Sequence, residues 1–184
     1  MNKSVKGMQG GHQGGFTLIE LIVVIVILGI LAATALPRFA SLGGEARLAS
    51  LNAAKGALSA TSAMTHGKFL LARADKIAVE GVEVPMDLTS GYPSLDNITQ
   101  AQALADASGL TTADYTVFVA GAADTNRPAV AANQMAIVPN SIVGTPTAAT
   151  CYVMYTAAIA RDSAPAYSVG VPGKGAADRV KDCE

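Results

Sequence analysis

An apolar run from Phe16 to Leu36, with only Thr17, Glu20 and Thr34 polar, constrains this chain more than any other feature. As a helix rising about 1.5 Å per residue, it would span roughly 31 Å, the thickness of a bilayer's hydrocarbon layer. A secretory signal core is shorter, about 7–15 residues. Ala33-Thr34-Ala35 nevertheless has the small-x-small form of a signal cleavage site. Residues 21–31 are apolar on every helical face, as suits a helix surrounded by lipid or by other apolar helices. The flank before the run is basic: residues 1–15 hold Lys3 and Lys6 and no acid, the bias of a segment kept on the cytoplasmic side. Taking those two from 13 basic residues leaves 11 against 14 acidic ones, a mildly acidic remainder with no basic stripe for nucleic acid.

A plain membrane anchor does not explain Glu20. A carboxylate inside such a helix is costly unless it has a partner, and no Lys or Arg lies between Lys6 and Arg38. Cleavage before Phe16 would create an α-ammonium four residues from Glu20, in this chain or presented by a packed neighbour. The Gly10-Gly11-His12-Gln13-Gly14-Gly15 stretch ahead of the run is not a phosphate loop, because no strand precedes it and no Gly-Lys-Ser/Thr follows it. Gly15 suits a cleavage point, since a residue without a side chain lets a protease approach the backbone.

Gly14-Gly15-Phe16-Thr17-Leu18-Ile19-Glu20-Leu21, then unbroken Ile, Val and Leu as far as Leu28, and finally Pro37, resemble the prepilin signature of type IV pilins. The resemblance implies that residues 1–15 are a leader removed by a prepilin peptidase between Gly15 and Phe16, and that the new Phe16 amine is N-methylated. It implies that Glu20 neutralises the Phe16 amine of an adjacent subunit during assembly. It also implies that residues 16–36 form a transmembrane and assembly helix, residues 37–184 the globular head, and that helix is lost between Gly29 and Pro37 in the filament. Scattered matches at Pro37-Arg38-Phe39, residues 46–52, Gly91-Tyr92-Pro93 and residues 149–153 look most like the mannose-sensitive haemagglutinin pilins.

Past Pro37, Leu42, Ala46, Ala49, Ala53, Ala57, Ala60 and Met64 recur at three- and four-residue spacing, which predicts an amphipathic continuation whose stripe covers the head, with Gly67 as its stop. Gly43-Gly44 is a weak point in that helix. The remainder reads as α+β. A hairpin is expected over 76–87 around Gly81, and a short helix capped by Asp96 or Asn97 through Ala107 and ended by Gly109. Strands are expected at Tyr115–Ala120, Gln134–Val138, Cys151–Ala157 and Ala166–Val171, joined by short turns into an antiparallel sheet. Cys151 and Cys183, an even count in a chain that crosses a membrane, read either as one disulfide closing a C-terminal loop or as two buried thiols. Helix, sheet and disulfide-bounded loop follow one another here in the order of the type IV pilin fold.

Nothing in the sequence assembles a catalytic or metal centre. His12 falls in the expected leader, and His66 stands alone near the end of the long helix, where a solvated or capping role suits it. No ligand spacing for a metal and no Gly-x-Ser-x-Gly elbow is present, and no cofactor is expected. Asn97-Ile98-Thr99 fits a glycosylation sequon but reads better as a helix cap. Tyr92, Tyr152, Tyr155 and Tyr167 suit sheet and turn positions without a ligand. The resemblance therefore implies a structural subunit. It would wait in the inner membrane with its head in the periplasm, and the inner-membrane pilus machinery would assemble it into an extracellular filament by self-association. A pseudopilin of a type II secretion machine and a minor pilin acting as a tethered binding module are the alternatives, with an enzyme more distant.

Overall fold

Residues 18–72 contain no strand-like alternation and only one proline, and they form a single long helix, α1 (Leu18–Ala72). The computed structural model describes residues 15–184, apart from the side chains of 37–41. The expected leader up to Gly14 lies outside the described residues. The chain divides into two units, one ending at Phe39 and the other Ala40–Glu184. In the first unit, the apolar side chains from Leu18 to Leu36 are exposed in the single chain, with only Ala35 partly covered. Thr34 returns its hydroxyl to the Ile30 and Leu31 carbonyls (3.4 and 2.9 Å), so it adds no unsatisfied donor to this segment.

In the second unit, α1 turns Leu51, Ala54, Leu58, Thr61, Ser62, Thr65 and Phe69 inward. This corrects the expected face: Ala46, Ala49, Ala53 and Ala60 are exposed, and Leu42 and Met64 each keep 51% of their surface. Both stripes have helical spacing, so periodicity alone does not choose between them. Burial goes to the stripe carrying Leu51, Leu58 and Phe69, because each of these removes far more apolar area than an alanine does. Thr61, Ser62 and Thr65 disguise that stripe in the sequence. The Thr65 hydroxyl is satisfied by the Thr61 and Ser62 carbonyls (3.0 and 2.9 Å), and Ser62 Oγ sits 3.5 Å from the Tyr155 hydroxyl. At the rim of the core, Ser50 Oγ and the Tyr115 hydroxyl are 2.6 Å apart. The helix also runs past Gly67 and ends only at Arg73, whose φ is +46°.

The expected hairpin is β1 (Lys76–Val79) with β2 (Val82–Pro85), turning through Glu80 and Gly81, both at positive φ. The short helix is α2 (Ile98–Ala107), with the Asn97 side chain accepting from the Gln100 N–H at 3.0 Å. A four-stranded antiparallel sheet follows, in the order β3 (Tyr115–Gly121), β4 (Val130–Pro139), β5 (Val153–Thr156) and β6 (Ala166–Val169). Met135, Ile137, Val153 and Tyr155 from its centre lie in one buried cluster with Leu51 and Leu58 of α1. β4 is longer than expected and β5 shorter. A final helix, α3 (Ala176–Asp182), was not anticipated.

The disulfide joins Cys151 to Cys183, both buried. It belongs to a wider clasp. Arg47 of α1 donates from Nη1 to the Cys183 carbonyl at 2.6 Å and to the Glu184 carbonyl at 3.3 Å, and the Thr150 hydroxyl donates to the Asp182 carbonyl at 2.8 Å. Lys174 pairs with the mostly buried Asp182 at 2.8 Å. Gly44 is where α3 meets α1: a Cβ at that position would stand 2.5 Å from the Val180 carbonyl oxygen. The glycine that weakens α1 by propensity is therefore required by close approach. This is the α+β arrangement expected from the sequence, a long helix and antiparallel sheet with a disulfide-closed C-terminal segment.

Candidate functional site: the start of the apolar helix

Thr17 precedes the first helical residue and Glu20 is the third, which is the spacing of a reciprocal cap. Both halves of the box are present. The Thr17 backbone N–H and hydroxyl each donate to Glu20 Oε2 at 2.8 Å, and the Glu20 N–H donates to Thr17 Oγ1 at 3.3 Å. Glu20 thus has partners on its own helix end that the sequence reading overlooked, though Thr-x-x-Glu at the head of an apolar run signals them. The contacts engage one carboxylate oxygen. They also leave the negative charge in place, beside an open groove lined by Ile19, Val23 and Val24. Cleavage before Phe16 would leave this cap intact, because the cap uses the Thr17 amide and not that of Phe16.

Gly15–Thr17 are outside regular structure, and Phe16 is 95% exposed. A Cβ added at Gly15 would meet no atom within 4 Å, so no contact among the described residues demands glycine there. Gly29 is equally open, and α1 is continuous through Gly29 and Pro37 in the single chain. Cys151 and Cys183, 32 residues apart in sequence, are brought together in the second unit. His66 is a packing residue: its ring stacks on Tyr92 with centroids 4.0 Å apart, and Nδ1 lies 2.8 Å from the Gly91 carbonyl. That carbonyl accepts, so Nδ1 carries the proton. Among the described residues no three His, Cys, Asp or Glu side chains converge as a metal site.

Burial holds Tyr155 neutral well above the usual phenol range, outweighing the lowering effect of its Ser62 hydrogen bond. Tyr152 and Tyr167 shift upward for the same first reason. These tyrosines belong to the core and offer no reactive phenolate.

Residues 11–36 match the prokaryotic N-terminal methylation motif. The chain is 50% identical over 50 residues to a type IV narrow pilus major component of Thermus thermophilus, covering 27% of this chain and 43% of that one. It is 38% identical over 90 residues to type II secretion system core protein G of Pseudomonas aeruginosa, covering 49% of this chain and 61% of that one. A type IV major pilin protein of Neisseria gonorrhoeae is 45% identical over 60 residues, 31% of this chain and 36% of its own length. The chain thus spans between about a third and three fifths of the length of these relatives. No solved structure matches it. The motif and these relatives make the chain similar, over part of its length, to type IV pilins and to a type II secretion core protein.

Proposed function

We propose that the chain is the major structural subunit of a type IV pilus, cut by a prepilin peptidase between Gly15 and Phe16, N-methylated at Phe16 and polymerised into a surface filament for attachment and biofilm formation. The observation that carries the proposal is Glu20: a carboxylate one turn inside a helix apolar on every exposed face, satisfied at one oxygen by Thr17 and still carrying its charge. A Phe16 ammonium from a neighbouring subunit supplies the counter-charge. A desolvated carboxylate without that partner is penalised, so wrong axial registers are disfavoured more than the right one is strengthened. The exposed Gly15–Phe16 bond suits the peptidase, and the open surface at Gly15 is consistent with glycine being required by the peptidase's active site. Before assembly, residues 16–36 anchor the subunit in the inner membrane with residues 37–184 in the periplasm; afterwards the apolar helix exchanges lipid for neighbouring helices. Loss of helix between Gly29 and Pro37 during that step is part of the proposal, since Pro37 has no N–H to give the Ala33 carbonyl.

Of the three relatives named above, the type II secretion core protein is matched over the longest stretch, 90 residues, and that favours a second reading, a pseudopilin of a short piston-like assembly. The disulfide-closed segment at Cys151–Cys183 and the scattered likeness to mannose-sensitive haemagglutinin pilins support the pilus. The test is intact mass and N-terminal sequencing of protein sheared from cell surfaces. Abundant chains beginning at N-methylated Phe16, two hydrogens light for the disulfide, are expected. A scarce product in the same fraction would make it a minor subunit, and a mature chain confined to the cell envelope would favour the pseudopilin. An uncut chain in membranes overturns both.

A further inference from the structure

At the C-terminal end of α1 the second unit opens into a cleft of about 440 Å³, within the roughly 300–1,000 Å³ range of small-molecule sites. Three segments wall it. One is the last two turns of α1 with Arg73, another the turn from Leu88 to Tyr92, and the third the turn from Arg161 to Ala164 between β5 and β6. The first two are held rigidly. Asp87 Oδ1 accepts from the Thr89 and Ser90 amides (2.9 and 2.6 Å), and Gly91 is packed so close to Phe69 that a Cβ there would lie 2.7 Å from that ring. The His66–Tyr92 stack closes the same side. In the third, the Ser163 hydroxyl donates to the Ala160 carbonyl at 2.6 Å.

The chemistry of the lining is mixed in a particular way. Arg73 and Arg161 bring two permanent cations, and Asp162 brings one carboxylate; among the described residues none of the three has an ion-pair partner. At the same end the Phe69 carbonyl accepts from the Arg73 N–H at 2.7 Å, and the Leu70 carbonyl of the last turn is left without a helical partner. Phe69 and Leu88 supply apolar surface, and the Thr89 hydroxyl makes no hydrogen bond among the described residues. A bare inorganic anion would satisfy the guanidinium groups but face Asp162 and the negative end of the helix dipole. A neutral polyol would suit the acceptors and leave two guanidinium groups without a carboxylate. A ligand with one carboxylate and several hydroxyls on a ring answers every group.

Arg73 carries a second sign. It follows the last residue of α1 at φ +46°, a position where glycine is the usual helix-ending residue and a larger side chain is disfavoured. The side chain is kept in a backbone conformation that disfavours it, at the edge of this cleft. We propose that the cleft binds a hexuronate unit of an acidic polysaccharide, with Arg73 and Arg161 on its carboxylate and Asp162 and the Leu70 carbonyl accepting from its hydroxyls.

The test uses the full chain in detergent, titrated calorimetrically with glucuronate, glucose and sodium sulfate. Glucuronate is expected to bind, with glucose and sulfate each weaker by about ten-fold or more, the loss for removing a hydrogen-bonded charged partner. Arg161→Gln should weaken glucuronate by a similar factor. Arg73→Gly should do so as well while its melting temperature stays level or rises, which separates a lost contact from a damaged fold. Absence of glucuronate binding, equal binding of sulfate or of glucose, or unchanged affinity in both variants overturns the proposal.

Discussion

Glu20 serves a local structure through its cap with Thr17, and in the proposed filament it serves an assembled one. The reciprocal cap needs an acceptor at residue 20, whereas the proposed register needs a negative charge there. Glu20→Gln separates the two: it keeps the acceptor and loses the charge. Helix content in detergent, measured by circular dichroism, should match the parent for Glu20→Gln, and sheared filament yield should fall as far as for Glu20→Ala. Filament yield preserved in Glu20→Gln would assign the residue to capping alone. Glycines within α1 give a prediction of sign. Gly56 and Gly67 have nothing within 4 Å of an added Cβ, so alanine at either should stabilise by about 0.4–1 kcal/mol. Gly44→Ala should instead destabilise by about 1–3 kcal/mol, because the new methyl meets the Val180 carbonyl. Denaturant unfolding of the three variants reads the difference directly.

Among the elements, α1 is the one put to more than one use. Its inward stripe holds the core through Leu51, Leu58 and Phe69, while Ala46, Ala49, Ala53 and Ala60 form an uncharged stripe left exposed in the single chain. In a filament, small residues permit close helix approach, so a charge there should matter only on assembly. Ala53→Glu is expected to unfold at the same denaturant concentration as the parent, with sheared filament yield reduced several-fold. Unchanged yield would mean that this stripe remains solvated in the filament. In the β3–β6 sheet, Met135 pairs with Tyr155 and Ile137 with Val153, which puts all four in the same cluster as α1, and Ala136 and Val138 beside them are buried as well.

For the molecule as a whole, the Cys151–Cys183 bridge closes a loop with a sequence separation of 32. In the chain-entropy model its removal by Cys151→Ser with Cys183→Ser costs about 3–4 kcal/mol, to be measured by denaturant unfolding with the parent as reference. The loss should exceed that of Arg47→Ala, which removes only the Arg47 contacts to the tail. Stability should also fall on the alkaline side. Tyr155 is held neutral above its ordinary value near 10. Between that value and its folded-state value the native protein binds more protons than the unfolded chain, so stability is complete below about pH 10 and declines above it. Thermal melts across that range should show a shallower decline in Tyr155→Phe.

Much of this was legible in residues 14–37, because a bilayer-length apolar run, a lone carboxylate and an adjacent glycine pair depend on local chemistry alone. The hairpin at Gly81, the Asn97 cap and four of the strands were readable for the same reason: turn residues and alternation act over a few positions. The sequence by itself determined the apolar N-terminal helix and the order of the elements as far as β6, and it carries the proposed cleavage point. It did not determine which stripe of α1 is buried, that Gly44 is a contact point and not only a weak link, or that Arg73, Arg161 and Asp162 share a cleft. Those outcomes depend on which surfaces meet across long sequence separations, and burial area, not periodicity, decides that. Only the tertiary structure supplies it.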